Sequence, residues 1–327
     1  MRIINRQALA SCLSHSDCVE ALAPAMQMVS AGRVDMPLRQ YMQIPETGGG
    51  KFTLMPGYLD DPRGFGVKIV CKYPREADSL YGSHVGAVML FDAELGIPLA
   101  LIDGSELTAI RTAAASALAT RELAREDSPV LAILGTGLQA LHHIHAIRAV
   151  RPVDKVRIWG RSTANADALA QSLTLPDGVS VATVGTVDEA LEGADIVCTT
   201  TSAKTPILRG DQLAPGQHVN LVGAAIIEAA EADAEVVKRS RFVIDYWPSA
   251  RDQAGELAAA LAGGLTEDEA VAGEIGQILA GQLAGRQDRE QITVYKSLGV
   301  SAQDLAAAHM AYQRASEQDL GVVVDWT

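Results

Sequence analysis

The chain has 327 residues, which is more than one compact core usually needs and therefore predicts two domains. Its 40 acidic and 27 basic side chains give a net charge of -13, which argues against nucleic acid or an anionic membrane as partner because both reward clustered Lys and Arg. Four scattered cysteines without CxxC spacing fit neither a disulfide framework nor a zinc site.

The first hundred residues predict an α+β unit. The opening "MRIINRQALASCLSHSDC" lacks the apolar segment and cleavage site of a secretory signal, and no apolar run approaches the roughly 18 to 20 residues that span a bilayer, so we expect a cytoplasmic protein. Further on, "GVKIVCKYP" and "HVGAVMLFD" are strand-like, and a turn at "AELGIP" follows the second. This arrangement predicts an antiparallel sheet.

Three basic residues of this region are candidates for the chemistry. Lys68 lies in an apolar strand-like run, where an ammonium is costly and its pKa is lowered unless a carboxylate pairs with it. Arg111 lies in "LTAIRTAAASALA", an Ala-rich helix that Asp103 and Glu106 introduce with capping-box spacing. A solvated lysine and an interdomain ion pair are the alternatives, and Arg39 is from its spacing an ordinary loop arginine.

Residues 129 onward alternate strand-like runs with Ala-rich helical segments, which is typical of a parallel sheet with crossover helices. Six runs are candidate strands: 130–134, 155–159, 179–183, 195–200, 218–223 and 241–245. The predicted fold class is therefore α/β, a Rossmann-type doubly wound sheet with the separate α+β unit before it.

The first of these strands ends in a glycine-rich turn. Gly135, Gly137 and Ala140 match G-x-G-x-x-G/A between an apolar strand and a helix. The first glycine permits the turn, the second lets a pyrophosphate approach the backbone, and free N–H groups at the helix start attract the phosphate. The turn predicts a dinucleotide site, and a bare packing turn is the alternative.

The second strand ends in "IWGRS", where NAD-binding proteins usually carry an acid for the ribose 2′-hydroxyl. Arg161 instead offers a positive fork for a 2′-phosphate, with Ser162, Thr163 and Asn165 as further hydrogen-bonding groups. We therefore expect NADPH rather than NADH, and a solvated loop arginine is the alternative.

Three histidines follow the glycine turn in "LQALHHIHAIRAV". A helical wheel places His142 and His145 opposite the apolar stripe and His143 on its flank, which predicts an exposed or interface position. No acid joins them at metal-ligand spacing, so we expect no metal site.

The segment "SAQDLAAAHMAYQRA" predicts a last helix, with Ser301 as its N-cap. This helix could return to the first domain. We therefore predict a discontinuous substrate-binding domain of residues 1–112 and 300–327 and an NAD(P)-binding Rossmann domain of residues 113–299.

Taken together, the motifs resemble the ornithine cyclodeaminase/μ-crystallin family over nearly the whole chain. The resemblance is carried in this order by "GVKIV", "SHVGAVMLFD", "PLALIDGSELTAIRTAAASALAT", "LAILGTGLQA", "VRIWGRS", "GADIVCTTT", "HVNLVGA" and "TVYKSLGVSAQDLAAA". It implies a homodimer in which residues 1–112 and 300–327 form the dimerisation and substrate domain, and in which each subunit binds a small imino or amino acid. It also implies that Arg39 and Arg111 bind the substrate carboxylate and that Lys68 is the acid or base near the reacting carbon and nitrogen.

The resemblance also implies a set of residues around the cofactor. These are His84, Arg111, Thr112, Gly135, Gly137, Leu138, Gln139, Arg161, Ser162, Asn165, Thr200, Thr201, Val222, Lys296, Ser297 and Gly299.

The family includes several activities, and two positions favour one of them. The ornithine cyclisers carry an Asp after "VGA" for the distal amine of the substrate, whereas this chain has Ala225. Glu228 or Glu231 as a substitute for this acid is the alternative, although neither matches the position. "WGRS" with Arg161 resembles the type associated with NADPH and reduction. Both features predict an NADPH-dependent reductase of cyclic imino acids that gives L-proline or L-pipecolate. Ornithine cyclodeaminase, an alanine or opine-type dehydrogenase, and a non-catalytic binding protein like μ-crystallin are the alternatives.

Overall fold

The computed structural model describes residues 1–75, 81–82 and 84–326. The helices in chain order are α1 (Arg6–Cys12), α2 (His15–Ser30), α3 (Gly104–Leu123), α4 (Leu138–Arg148), α5 (Thr163–Ser172), α6 (Val187–Leu191), α7 (Ala234–Lys238), α8 (Trp247–Gln253), α9 (Gly255–Ala262), α10 (Glu267–Ala270), α11 (Ile275–Leu279) and α12 (Ser301–Glu317). The strands are β1 (Arg2–Ile4), β2 (Val34–Asp35), β3 (Gln40–Gln43), β4 (Lys51–Leu59), β5 (Gly64–Lys72), β6 (His84–Asp92), β7 (Pro98–Asp103), β8 (Val130–Leu134), β9 (Lys155–Trp159), β10 (Ser180–Thr183), β11 (Ile196–Thr199), β12 (His218–Leu221), β13 (Arg241–Ile244), β14 (Gly273–Glu274), β15 (Thr293–Lys296) and β16 (Val322–Val323).

The chain divides into two compact units. Unit 1 consists of Met1–Arg111 and Val300–Thr327, and unit 2 consists of Thr112–Gly299. The first boundary lies one residue before the one drawn from the sequence. The roles of the two units, substrate binding with dimerisation and cofactor binding, stay predictions.

Unit 1 is built on a mainly antiparallel sheet with the strand order β16-β1-β7-β6-β5-β4-β2, and β3 pairs with β4. The predicted antiparallel pairing of β5 with β6 is confirmed, with Lys68 opposite Val88. Helix α12 packs against α2 and against β4 and β5. The last part of the chain thereby completes a layer begun by the first hundred residues.

Of the two helix caps predicted in unit 1, the one before α3 is confirmed and the one before α12 is not. Asp103 Oδ1 accepts a 2.8 Å hydrogen bond from the backbone N–H of Glu106, as its spacing before α3 predicts. The prediction that Ser301 caps α12 is wrong, because the N-cap is Val300 and Ser301 is already the first helical residue. Val300, an apolar residue with extended backbone, thus occupies the N-cap position, where Ser, Thr, Asp or Asn is usual.

Unit 2 contains a parallel sheet with the order β10-β9-β8-β11-β12-β15-β13-β14, so the predicted Rossmann-type sheet is confirmed. All six candidate strands are present with ends within two residues of those predicted. Strands β14 and β15 were not predicted from the sequence. Of these, β15 (Thr293–Lys296) is buried throughout and lies between β12 and β13. A short strand covered on both faces shows no alternation of polar and apolar residues.

Candidate active site

A buried ion pair occupies the face of the unit 1 sheet that α12 covers. Lys68 projects from β5 and Asp304 from α12, and the ammonium Nζ lies 2.8 Å from each carboxylate oxygen. Lys68 is 4% exposed and Asp304 1% exposed. Charges so far removed from water require partners, and here each has one.

Arg111 binds the same carboxylate. Its Nε donates a 2.8 Å hydrogen bond to Asp304 Oδ1, and its Nη1 donates one of 2.8 Å to Gln303 Oε1. A guanidinium carries five N–H donors, so this arrangement leaves donors on Nη1 and Nη2 for a ligand. The cluster of Lys68, Arg111 and Asp304 thus has two positive charges and one negative charge, which suits a ligand that brings a carboxylate.

Two glycines let α12 approach the sheet closely enough to form this cluster. A Cβ on Gly57 would lie 2.5 Å from Ser301 Oγ, and a Cβ on Gly66 would lie 2.8 Å from Leu305 Cδ2. Side chains at these strand positions would push the first two turns of α12 outward. Asp304 lies between the two helix residues that the glycines accommodate.

Lys68 has an unusually acidic ammonium. Burial, together with the positive charges of Arg111 and Arg39, lowers its pKa to about 7, and Asp304 opposes this shift. A lysine in this range can both give and accept a proton near neutral pH. The half-buried Arg39 is therefore close enough to Lys68 to act on its charge. The spacing of Arg39 in the sequence gave no reason to connect the two, and only the family resemblance did.

His84 opens β6 next to the same cluster. Desolvation of its ring and the positive charges of Lys72 and Lys68 lower the pKa of His84 to about 4, although the residue as a whole is exposed at the start of β6. Its imidazole is therefore neutral at physiological pH and can offer both a donor and an acceptor nitrogen. Thr112 follows Arg111 in α3 and is buried.

In unit 2, the glycine turn lies at the point where the strand order reverses. Gly135 follows β8 with a φ of +138°, and a Cβ there would lie 2.5 Å from Thr200 Oγ1 and 2.6 Å from Thr200 O. Only a residue without a side chain fits this approach. Two residues predicted to bind the cofactor therefore meet at the switch point, where open α/β sheets hold their ligands.

The start of α4 has the features of a phosphate site. Gly137 is the N-cap, no side chain caps the helix there, and a Cβ on Gly137 would meet nothing within 4 Å. The exposed Leu138 follows it. Gln139 Oε1 is buried and has no hydrogen-bond partner among the residues that the structure describes. Open N–H groups and open space fit the phosphates of a dinucleotide at this position. The Gln139 oxygen is an acceptor and needs a donor such as a ribose hydroxyl.

An exposed or interface position is predicted for the three histidines on α4, and the exposed position is wrong for two of them. His143 is 0% exposed and His142 is buried. The ring of His143 connects two helices, with Nε2 2.9 Å from Ser116 Oγ on α3 and Nδ1 2.7 Å from Gln139 O. Within unit 2, α4 therefore has contacts on the side that the helical wheel assigned to solvent.

The turn after β9 carries the groups predicted to select the cofactor. Arg161 is exposed, and Ser162 caps α5 by accepting a 3.3 Å hydrogen bond from the backbone N–H of Asn165. The β9 strand pairs with β8, so this turn and the glycine turn lie at the same edge of the sheet. The guanidinium is thus available to a group bound there.

A buried carboxylate organises the loops after β11 and β12. Glu231 is fully buried, and its Oε1 accepts 2.7 Å hydrogen bonds from the N–H and the hydroxyl of Thr201. Its Oε2 accepts hydrogen bonds from Thr199 Oγ1 at 2.7 Å and from Gly223 N at 2.5 Å. The idea that Glu231 substitutes for an acid at Ala225 is therefore wrong, because four donors already occupy this carboxylate. Val222, from the predicted cofactor set, is the residue before Gly223 and donates to Thr199 O at 3.1 Å.

The segment after β15 was also predicted to reach the cofactor. Lys296 is fully buried, with Nζ 2.7 Å from Glu256 Oε2 and 2.8 Å from Ala224 O. Ser297 Oγ is buried without a hydrogen-bond partner among residues 1–75, 81–82 and 84–326. The N–H of Gly299 donates to Asp245 at 2.7 Å. Ser297 fits a ligand-facing role, whereas the ammonium of Lys296 is held by the protein.

Sequence reasoning missed Asp304, Gln303 and Glu256. The signal for Asp304 was present, since it is an acid next to Leu305 and four residues before Ala308, on the apolar stripe of α12. Its partners could not be deduced, because Lys68 is 236 positions away.

No helix in the described part of the chain is long and apolar enough to cross a membrane. In the same residues, no group of three or more His, Cys, Asp or Glu side chains is arranged to hold a metal ion.

The chain is similar to known proteins both in sequence and in structure. The sequence profile described as the ornithine cyclodeaminase/mu-crystallin family matches residues 3–319. A Δ(1)-pyrroline-2-carboxylate reductase of Bacillus cereus is 34% identical over 327 residues, which cover all of both chains. The structure of the Thermococcus litoralis Δ(1)-pyrroline-2-carboxylate reductase with NADH and L-proline superposes with a TM-score of 0.94 and 31% identity, over 99% of this chain and 100% of that one. An archaeal alanine dehydrogenase dimer with bound NAD has a TM-score of 0.91 and 28% identity, over 100% and 99% of the two chains.

Proposed function

Because this chain belongs to the ornithine cyclodeaminase/mu-crystallin family, we propose that it reduces small cyclic imino acids with NADPH. The substrates are Δ1-pyrroline-2-carboxylate or Δ1-piperideine-2-carboxylate, and the products are L-proline or L-pipecolate. The observation that carries this proposal is the buried cluster of Lys68, Arg111 and Asp304, which combines a carboxylate-binding fork with an acid that works near neutral pH. The relatives named as Δ(1)-pyrroline-2-carboxylate reductases support the same reaction.

The protein residues divide the work as follows. Arg111 and Arg39 bind the carboxylate and orient the ring, which contributes the positioning part of the rate. Lys68 donates a proton to the imine nitrogen, so that the C=N bond becomes CH–NH when hydride reaches the carbon. The nicotinamide, when bound, supplies that hydride.

The strands beside Lys68 favour a ring over a chain with a second amine. The directly opposed residues on β4 and β6 are Met55 and Val88, and both are buried. Their apolar side chains suit ring methylenes, whereas an ammonium would need an acid. Together with Ala225 and the fully occupied Glu231, this supports a reductase over an ornithine cyclodeaminase.

NADPH is proposed as the preferred reductant because of Arg161. Its guanidinium follows β9, at the position where a 2′-phosphate binds in this fold. The open space at Gly137 and the unpaired oxygens of Gln139 and Ser297 support the dinucleotide itself. We take the protein to be a homodimer, a state that the archaeal relative is described as having. Light scattering combined with gel filtration tests the dimer.

One assay separates the proposal from its alternatives. The purified protein is incubated with NADPH and each cyclic imino acid without ammonia, and oxidation of the cofactor is followed by absorbance. We expect turnover that requires no ammonia and is faster with NADPH than with NADH. Ammonia and proline formed from NAD and ornithine would instead identify a cyclodeaminase. Turnover only with a linear oxo acid plus an amine or ammonia would identify an amino-acid dehydrogenase, and binding without turnover would identify a binding protein.

A further inference from the structure

The cluster around Lys68 carries an excess of positive charge. Asp304 is the acid in contact with both Lys68 and Arg111. The titratable and charged groups that face Lys68 or its two partners come from five segments: Arg111 on α3, Asp304 on α12, Arg39 between β2 and β3, His84 on β6 and Cys18 on α2.

Two of these groups are neutral at physiological pH. The pKa of His84 lies near 4, and burial raises the pKa of the Cys18 thiol far above its usual value. With Lys68 protonated, Lys68 and Arg111 contribute two positive charges against the one negative charge of Asp304, the acid that contacts both. A bound anion therefore stabilises the protonated form of Lys68 beside this arginine.

We propose that Asp304 is a positioning residue that holds Lys68 and Arg111 on one carboxylate, so that binding of the substrate carboxylate loads a proton onto Lys68. This inference rests on the proposed function, since it takes the substrate to be a ring carboxylate. The proton comes from solvent when the substrate binds, and it leaves with the product as the hydrogen on nitrogen.

The contact geometry gives Asp304 this role. Both of its oxygens lie 2.8 Å from Nζ of Lys68, while Oδ1 also accepts from Arg111 Nε. The adjacent Gln303 fixes the Nη1 side of the guanidinium. Because Asp304 binds both side chains, it keeps the ammonium of Lys68 next to the guanidinium of Arg111. The negative charge of a ligand carboxylate that binds this guanidinium therefore acts directly on the ammonium.

The size of the coupling follows from electrostatics. Burial and the charge of Arg111 lower the pKa of Lys68 to about 7 without ligand, so most Lys68 side chains are neutral at pH 8. A carboxylate within a few ångströms raises the pKa of a cationic group by about 1 to 3 units. Binding at pH 8 should therefore take up about 0.4 to 0.9 proton per site.

Calorimetry measures this proton directly and does not depend on turnover. Pyrrole-2-carboxylate, a planar ring anion, is titrated into the protein saturated with NADPH, in buffers of different ionisation enthalpy between pH 6 and 9. The slope of heat against buffer enthalpy gives the number of protons bound. We expect uptake that is largest near pH 8 and vanishes toward pH 6, where Lys68 is already charged.

Three variants assign the proton. Lys68→Met should bind the anion without uptake, and Asp304→Asn should move the maximum to lower pH because a neutral amide no longer favours the ammonium. Glu317→Gln, the same change at an exposed position of α12, should behave as wild type. Circular dichroism and NADPH binding check that each variant folds. If Asp304→Asn does not fold, the comparison of wild type with Lys68→Met decides the question.

The inference is overturned if wild type binds the anion at pH 8 without proton uptake, if uptake is unchanged in Lys68→Met, or if the pH of maximum uptake does not move in a folded Asp304→Asn protein. Failure of the proposed function has a different signature. In that case no cyclic imino acid oxidises NADPH and the ring anion does not bind, which removes the premise and the inference with it.

Discussion

Lys68 and Asp304 form an ion pair across 236 positions of the chain, with Nζ of the lysine 2.8 Å from Oδ1 of the aspartate. The pair joins β5 to α12 inside unit 1. It gives Lys68 a fixed position but not a full positive charge, because burial counteracts the attraction of the carboxylate. This balance underlies the first two predictions.

Replacement of Lys68 by Met should remove the proton donor while keeping a side chain of similar length. We expect kcat for reduction of the cyclic imine to fall by about 10² to 10⁴, the usual contribution of a positioned acid. Binding of NADPH, measured by fluorescence, should change little. Lys155→Met, at an exposed position at the start of β9, is the matched control and should keep full activity. A Lys68→Met enzyme with wild-type kcat would exclude the lysine as acid.

The pH dependence of reduction should report the same group. The proposed mechanism needs protonated Lys68, and burial lowers the pKa of this lysine in the empty site to about 7. The logarithm of kcat/KM, which reflects the free enzyme, should therefore fall with unit slope above pH 7. The limb of kcat should lie at higher pH, because the substrate carboxylate favours the ammonium. The imine substrate titrates as well, so its own pKa is recorded by absorbance and removed from the profile. A profile that stays flat to pH 9 after this correction would contradict the assignment.

Arg161 should distinguish the two cofactors. In Arg161→Ser the KM for NADPH should rise about 10- to 100-fold, the effect of losing a charge-assisted hydrogen-bonding partner of a phosphate. The KM for NADH should stay within about twofold, since NADH carries no 2′-phosphate. Arg209→Ser changes another exposed arginine of unit 2 and should affect neither. Equal losses with both cofactors would show that Arg161 does not recognise the 2′-phosphate.

The two glycines of the turn after β8 should respond differently to alanine. In Gly135→Ala the new Cβ would lie 2.5 Å from Thr200 Oγ1 at a φ of +138°, so thermal unfolding should occur at a clearly lower temperature. Gly137→Ala has open space and a φ of -90°, so we expect a nearly unchanged fold. Its methyl group would instead occupy the approach of the pyrophosphate and weaken cofactor binding at least tenfold. Equal cofactor affinity in Gly137→Ala would argue against a phosphate there.

Glu231 should matter for stability. In Glu231→Gln one oxygen becomes an NH2 group that faces donors from Thr199 or Thr201, so the free energy of unfolding in urea should fall by about 1 to 3 kcal/mol. The control Glu228→Gln changes an exposed acid of the same loop and should stay within about 0.5 kcal/mol. A stable Glu231→Gln protein would mean that this network of hydrogen bonds is not required for the fold.

Local patterns were sufficient to predict much of the fold and one part of the site. The glycine turn directly follows its strand, and Arg161 follows the next strand of the same sheet, so each could be assigned from its local pattern. Lys68 and Arg111 could be singled out because an isolated charge in an apolar segment needs an explanation. What they bind could not be predicted, because Asp304 is distant in sequence and only the packing of α12 brings it to β5.

The errors also have physical causes. A helical wheel assumes one buried face, whereas α4 forms contacts on a further side, where His143 meets Ser116. The β15 strand has only four residues and is buried on both faces, so it lacks the alternation that identifies exposed strands. Both errors concern segments of unit 2 that are covered on more than one side. In such segments the polarity of a residue does not show which way its side chain points.

The order in which the ion pair is assembled during translation is set by the place of Asp304 in the chain. The ribosome adds 236 residues between Lys68 and its counter-ion, including the whole Rossmann unit. At about 5 to 20 residues per second, this takes roughly 10 to 50 seconds. Until α12 emerges from the ribosome, the nascent chain already contains Lys68, Arg111 and the glycine turn. It does not yet contain Asp304, the counter-ion of the lysine on β5.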